Sequence, residues 1–548
     1  TLSELGEYDG TALMEFKTKK EVHYQLYYDS VCTYEMDDTP PFIINEEALE
    51  IVIEIALMLN CQIVDEVHVS RKQYLDGSIP TGFQRTIAVG VNGWISLNGR
   101  KIRVVQVCLE EDACREISDR GHVIVFRTDR LSVPLVEVIT APDMKTPSEA
   151  CDADREIGRI LRATRRVRRG IGTVRQDVNV SIRGGTRVEI KGVPKTGLIG
   201  TLVHHEALRQ KGLLSLKREI IKRGIEPKTR KINCTDLFVR SGSETLRRLT
   251  RNGYNISSIL ITGFSDLLKW KISPHRTFED ELKGRVRVIA CIDEEPILFS
   301  QERPDSIGPS EEEWGLVRKR LNASDRDAVV IVGGPEKDVC TALSEIDARV
   351  AESKKGVPNE TRQVLKGGET DFERILPGPN RMYPDTDSAP IPISHSMLKR
   401  IQANLPVSPG EWRKRCRGIL KQQTINQLID MDRIECFWNV LNSSNCDPKF
   451  LAYTLTSTLP FLRRMGIDVS TISEETLIEL FKLYSEGKII REAVPEALQK
   501  ISHNQSIEDL LTGTPEKRIR EIELQKIVQN VFEEKGSLVK DKEKRRRY

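Results

Sequence analysis

The stretch KIRVVQVCLEEDA, Lys101 to Ala113, decides how this chain is read. Its first half sets basic residues against β-branched ones, and that pattern predicts a strand. The strand runs directly into Glu110, Glu111 and Asp112. Three adjacent carboxylates repel one another. Either they sit in an acidic surface turn, or they hold a cation, or a phosphate through a cation. This stretch alone leaves both readings open.

Further along, VPLVEVITAPD (133–143) predicts another strand, with Glu137 in the middle of an apolar run. A glutamate in such a place points to solvent, to a basic partner or to a metal. RQDVNVSIRGGTRVEIKG (175–192) predicts two more strands. Asp177, Asn179, Ser181 and Arg183 alternate with apolar residues on the first, and Arg187, Glu189 and Lys191 do so on the second. Alternation puts each polar set on one face. The pair reads as the floor of a site for a charged ligand, or as a polar solvent face.

Two helices are well marked. NEEALEIVIEIALMLN (45–60) has Asn45 as its cap, acids in its first turn and almost no polar face after that, so it should be buried. TPSEACDADREIGRILRATRRVRRG (146–170) opens with Thr146, Pro147 and Glu149, a capping box with a helix-starting proline, and can close at Gly170. A helix of that length sets Arg162, Arg165, Arg166 and Arg169 at i, i+3, i+4 and i+7, opposite Ile160, Ala163 and Val167. Such a stripe suits nucleic-acid phosphates, or else a solvated face that Asp152, Asp154 and Glu156 partly neutralise.

Residues 226 to 350 change texture. GRVRVIACI and DAVVIVGG predict buried strands, and SEEEWGLVRKRLN and VCTALSEIDARVAESKKG predict helices. From about 401 the pattern is nearly all helical and ends in the charged stretch KDKEKRRRY.

With 548 residues, the chain has room for several domains. Charged residues make up 30%, yet net charge is only +3, so any nucleic-acid surface must be local. Eleven scattered cysteines without a CxxC pair suit a reducing cytoplasm and argue against a zinc site. No run approaches the ~18 apolar residues of a membrane helix. No Walker A motif and no GxGxxG after a strand is present, and no HExxH or Ser-His-Asp order suggests itself.

CLEEDA, RLSVPLVEVITAPDMKTPSEA, RQDVNVSIRGGTRVEIKG and GVPNETRQVLKGGETDFERILPGPNRMYPDTD together resemble the tRNA-binding, kinase-like subunit of glutamyl-tRNA(Gln) amidotransferases. SELGEYD, CTYEMDDTPP and DGSIPTGFQRT point to its archaeal branch, the E subunit, as does the segment 226–350, which resembles the insert domain of bacterial aspartyl-tRNA synthetases. The resemblance implies an α+β multidomain chain: a mixed-sheet cradle (1–225 and 351–400) with an inserted α+β domain (226–350), then an all-α helical domain (401–468) and a tail domain (469–548). It implies ATP and Mg²⁺ as cofactors, phosphorylation of the glutamate carried by tRNA(Gln), and ammonia from an asparaginase-like D subunit in a heterotetramer. The helical and tail domains would grip the tRNA. The rival reading is a non-catalytic module that binds tRNA and docks a partner.

By the same resemblance, Glu110, Glu111 and Glu137 would hold the metal. Glu111, Glu137, Asp177 and Lys191 would serve catalysis, and Arg175, Asn179, Arg183 and Glu189 the nucleotide. The family opens with a Gly-Leu-Glu-Ile-His strand that also faces the metal. KEVHYQL (20–26) imitates it but aligns with a later segment, so Glu21 and His23 are not assigned. The chain is expected to be short at both ends.

Overall fold

The computed structural model describes residues 10–36, 38–170, 172–376, 381–503 and 505. SELGEYD and most of the expected tail lie outside them. The chain divides into two compact units, Thr1–Ser408 and Pro409–Tyr548. The expected division at 400/401 falls inside the helix His395–Ala403, whose Ile401 is buried in the core of the first unit.

That core forms around the helix Glu46–Met58, capped by Asn45 through the Ala48 amide at 2.8 Å. Its buried residues meet one face of an antiparallel sheet with the strand order Met382–Pro384, Val69–Gln73, Phe83–Leu97, Arg100–Glu111, Pro134–Thr140. Ile87, Val107 and Leu109 supply the inward face of that sheet. A second sheet has the order Gln176–Val180, Val188–Val193, Glu360–Val364, Thr370–Ile375. Val180 and Ile190 pack it against Ile199 and Leu202 of the long helix Thr196–Lys222.

After this helix the chain leaves the second sheet. It builds a separate sheet, Thr229–Asn233, Asn255–Ile261, Ala328–Gly334, Phe299–Ser300, and returns at Glu360 to pair in parallel with Val188–Val193. The two halves of the long helix serve different cores. Leu213, Leu216 and Ile220 pack with Ile259, Phe278, Val330 and Ile346 of the inserted segment. Gly212 permits the approach, because a Cβ there would stand 2.5 Å from the backbone of Ile272.

The strand expected at GRVRVIACI is instead the helix Phe278–Ile289. Val286 and Ile289 continue a helical repeat that begins at Phe278 and Leu282, and all four are buried. A reading frame opened at Gly284 misses the first half of that repeat and the capping box of Thr277 and Asp280. The arginine-rich helix also differs. It runs from Pro147 to Ala163, and Arg165 turns left-handed at φ 56°. Thr164 ends it by hydrogen bonding to Leu161 and accepting from the Arg166 amide.

Where the long helix, the insert and the returning strand meet, charge is buried. Arg209 grips Glu281 through Nε at 2.8 Å and Nη2 at 2.6 Å, Glu206 at 3.0 Å, and also Glu360. Arg362 and Arg349 each reach Glu281 at 3.1 Å. Arg285 lies 3.4 Å from Glu360 and 3.8 Å from Glu345. All of these side chains are under 5% exposed. Burial alone would push the Glu281 carboxyl up, but Arg209, Arg362 and Arg349 hold it well below the usual range.

In the second unit, helices Gln422–Asp430, Ile434–Ser444, Glu474–Ser485 and Val494–Ser502 bury apolar residues that include Leu428, Phe437, Phe481 and Leu498. A π-helical turn, Thr454–Thr458, interrupts one helix. Thr454 and Thr456 hydrogen bond back to the carbonyls of Phe450 and Ala452 there. No helix among the described residues is long and apolar enough to cross a membrane.

The buried charge cluster makes a prediction. Glu281→Ala leaves three guanidiniums facing one another without their shared carboxylate. It should destabilise the first unit by about 3–5 kcal/mol, read as a lower urea midpoint in the fluorescence of Trp270 and Trp314. A change below about 1 kcal/mol, the scale of an exposed pair, would refute this role.

Candidate active site

Strand register sorts the three adjacent acids. Glu110 is the cross-strand partner of Thr86, Cys108 is that of Glu137, and Lys72 is that of Gln84. Side chains alternate along each strand, so Lys72, Thr86, Glu110 and Glu137 share the face opposite the core. Lys72 Nζ lies 3.1 Å from Glu110 and 4.0 Å from Glu137, and Thr86 donates to Glu110 at 3.2 Å. The Glu110 charge also acts on the Glu137 carboxyl and opposes its ionisation.

Glu111 points the other way. It is the bidentate partner of Arg85, with Oε2 2.9 Å from Nε. Arg85 in turn donates to the Phe42 carbonyl at 2.6 Å. The expected gathering of Glu110, Glu111 and Glu137 around one ion therefore does not occur, because neighbours on a strand face opposite sides. Asp112 has a third destination, Arg175 at 3.2 Å, with Arg130 at 3.8 Å.

The second sheet brings its own polar face. Asn179 and Glu189 are cross-strand partners. Glu189 then pairs with Thr361, and Thr361 with Arg374, so the four lie along one rung. Lys191 stands 3.8 Å from Glu189. Asp177 accepts from the Gly192 amide at 3.2 Å and acts electrostatically on both Glu137 and Lys191. The polar faces of the two sheets thus confront each other. Ion pairs join them at two places, Asp112 to Arg175 and Asp76 to Arg374, the latter at 2.6 Å.

Arg183 does not join this face. The strand stops at Val180, because the Gln210 side chain takes the Val180 carbonyl at 3.0 Å and the Ile182 amide at 3.2 Å. Arg183 lies exposed in the turn that follows. The expected arginine stripe is also broken. Of the four, Arg162 alone lies within the helix, and Arg166 pairs with Glu54 at 3.3 Å and Glu47 at 3.6 Å. Arg169 donates to the Arg162 carbonyl at 3.2 Å. Lys72, Asp76 and Arg374 were not singled out from sequence. The alternation of Ser70, Lys72 and Tyr74 was the available signal for the first.

Burial, then the neighbouring Glu110, pushes the Glu137 carboxyl up to about 7, against the pull of Lys72. Burial works against the Lys72 ammonium, but Glu110, Tyr74 and Glu137 hold it above its usual value. Two neighbouring hard carboxylates, with an acid of the facing sheet in electrostatic reach, suit Mg²⁺. That ion takes one or two carboxylates and completes its shell with water and substrate phosphate. No group of three or more His, Cys, Asp or Glu among the described residues forms a closed protein cage for a metal.

A family model described as the GatB/GatE catalytic domain matches residues 16–399, and one described as the GatB domain matches residues 435–547. The chain belongs to the GatB/GatE family. The E subunit of the glutamyl-tRNA(Gln) amidotransferase of Methanocaldococcus jannaschii is 38% identical over 552 residues, 99% of this chain and 86% of its own. The counterpart from Methanococcus vannielii is 36% identical over 98% of this chain and 86% of its own, and that from Sulfurisphaera tokodaii 38% over 99% and 87%. The site described above lies wholly within the match to the GatB/GatE catalytic domain.

The raised Glu137 carboxyl has a pH signature. The folded chain keeps this proton up to about pH 7, whereas the unfolded chain loses it near 4.5. The stability gained from this group is therefore complete below pH 4.5 and lost as pH rises through 7. In EDTA, the melting curve of Glu137→Gln should lack this decline, so the variant gains on the parent between those values. Parallel pH dependences would contradict the assignment.

Proposed function

We propose that this chain is the activating subunit of a glutamyl-tRNA(Gln) amidotransferase. It phosphorylates the γ-carboxylate of glutamate esterified to tRNA(Gln), using ATP. A carboxylate oxygen attacks the terminal phosphorus, ADP leaves, and an acyl phosphate forms. Ammonia then attacks the acyl carbon, a C–N bond forms, and inorganic phosphate leaves with the C–O bonding pair. An asparaginase-like partner subunit supplies the ammonia.

The observation that carries this reading is the Glu110–Glu137 pair beneath Lys72, facing the polar rung of the second sheet. Phosphoryl transfer depends on charge neutralisation and positioning more than on covalent help from protein. Mg²⁺, held by Glu110 and Glu137, would supply neutralising charge to the phosphates. Lys72 offers a cation within reach of both carboxylates, and Lys191 and Arg374 offer cations on the opposite wall. Asp177 and Asn179 are exposed on the strand Gln176–Val180, where Asp177 can accept from an ammonium or hydroxyl of the substrate. Arg175 orders the joint beside them by its pair with Asp112.

In this reading residues 1–225 and 351–400 make the kinase-like cradle, and 226–350 the insert. Segments 401–468 and 469–548 grip the tRNA. The arginine-rich segment at the end of the helix Pro147–Ala163 adds backbone contacts through Arg162, Arg165, Arg166 and Arg169.

Glu110→Gln and Glu137→Gln in the assembled enzyme should abolish ATP turnover stimulated by glutamyl-tRNA(Gln) and leave tRNA affinity within about two-fold, since neither carboxylate neutralises a backbone phosphate. Parental turnover in both variants would refute the phosphorylation site. The tRNA reading has a separate test. Affinity should fall with salt, at about −0.9 in log–log slope per duplex phosphate neutralised. Replacing Arg165 and Arg169 with Ala should make that slope shallower by one or two such steps. Identical slopes would remove this segment from the interface.

A further inference from the structure

Beside the Lys72–Glu110 pair stand two polar groups that the reading above leaves unused. Tyr74 is two residues beyond Lys72, and its amide hydrogen bonds to the Gly82 carbonyl at 2.8 Å, which extends the strand edge. Strand Met382–Pro384 pairs with Val69–Gln73, Met382 opposite Lys72. The Gln73 amide then takes the Arg381 carbonyl at 2.8 Å. This pairing lays the Arg381 guanidinium over the Tyr74 ring, 5.1 Å from its centroid.

Both residues are half-buried. The Tyr74 hydroxyl has no hydrogen-bond partner among the described residues, and neither has the Arg381 guanidinium, which also makes no ion pair among them. Lys72, Arg381, Glu110 and Arg374 all act electrostatically on the Tyr74 phenol. Lys72 is matched by Glu110, and Arg374 by Asp76. Arg381 is a cation at this edge that no carboxylate among the described residues matches, and it lies over the Tyr74 ring. Burial raises the phenol, which therefore stays protonated and able to donate.

We infer that the Tyr74 hydroxyl and the Arg381 guanidinium form a receptor for a phosphoryl oxyanion at the edge of the Lys72–Glu110–Glu137 cluster. The inference rests on the phosphoryl-transfer reading above. A guanidinium donates two parallel N–H bonds to phosphoryl oxygens, and a phenol adds a third donor without carrying charge. Neither group gives up its proton. The oxyanion is either the terminal phosphate of ATP or the phosphate of the acyl intermediate.

The test uses the assembled enzyme, glutamyl-tRNA(Gln) and ammonium chloride as nitrogen donor, so that the partner's amide hydrolysis does not enter. Tyr74→Phe keeps the ring beneath Arg381 and removes only the hydroxyl. It should lower kcat on the order of 10-fold or more, and Arg381→Gln on the order of 100-fold. Arg381→Lys keeps the charge but not the fork, and should stay well below the parent. Melting temperature and Mg·ADP affinity should not move.

If the oxyanion belongs to ATP, Mg·ATP affinity falls as well. If it belongs to the acyl phosphate, Mg·ATP affinity holds while kcat drops. Parental kcat and Mg·ATP affinity in both Tyr74→Phe and Arg381→Gln would overturn the receptor. So would a kcat loss matched by lower melting temperature and weaker Mg·ADP binding, which marks a structural role. Absence of ATP turnover in the parental enzyme would instead overturn the phosphorylation reading itself, and the receptor with it.

Discussion

The first unit depends on a cluster of buried charges. Glu281, at its centre, belongs to the inserted segment. Arg209 reaches it from the long helix, Arg362 from the returning strand, and Arg349 from the last helix of the insert. Taking each ion out of water costs several kcal/mol, and the cost is offset only when every partner is present with good geometry. An apolar core tolerates sliding far better than such a set does. The cluster therefore specifies how the insert meets the second sheet, and that sheet carries one wall of the site. Hydrophobic packing through Leu213, Leu216 and Ile220 adds area to the same joint. Gly212 sets how closely the pieces can approach.

The cleft repeats this logic at lower burial. Two sheets each turn an apolar face to a helix and a polar face to each other. Asp112 with Arg175 and Asp76 with Arg374 fix the spacing between them. Inside, like charges are pressed together on one wall, Glu110 against Glu137, and cations are drawn close on both. A site in this condition favours a ligand that brings positive charge to the first wall and negative charge to the second. In the proposed reading that ligand is a metal-bound nucleotide.

Much of the fold could be read from the sequence where its periodicity was uninterrupted. The buried helix after Asn45 and the helix after Thr146 were marked by their caps, and both start where expected. The strands around Glu110 and Glu137 were marked by alternation. Reading failed where side chains far away in sequence decide the outcome. Gln210 ends the strand at Val180, thirty residues before its own position, and no local pattern announces that. Thr164 stops the arginine-rich helix by a turn that competes with a continuous helical pattern. Of the candidate site, the acids were legible because carboxylates on strands are conspicuous. Lys72 and Arg374 were not, since lysine and arginine are abundant throughout and only pairing with Glu110 and Asp76 distinguishes these two. The opposite orientation of Glu111 follows from alternation alone, yet it required the strand to be known to continue through the last acid.

The divergence of Glu110, Glu111 and Asp112 has a genetic consequence. The three are consecutive codons, yet one faces Lys72 in the cleft between the sheets, one is clamped on the core side by Arg85, and one ties two sheets through Arg175. In a saturation scan they would fall into three phenotypic classes. The first would yield soluble but inactive protein. The second would reduce the amount of folded chain. The third would leave abundance intact and act as a partial allele, with compensating changes found at position 175. Proximity along the gene would predict none of this, and a trait map drawn at domain resolution would average three unlike roles into one.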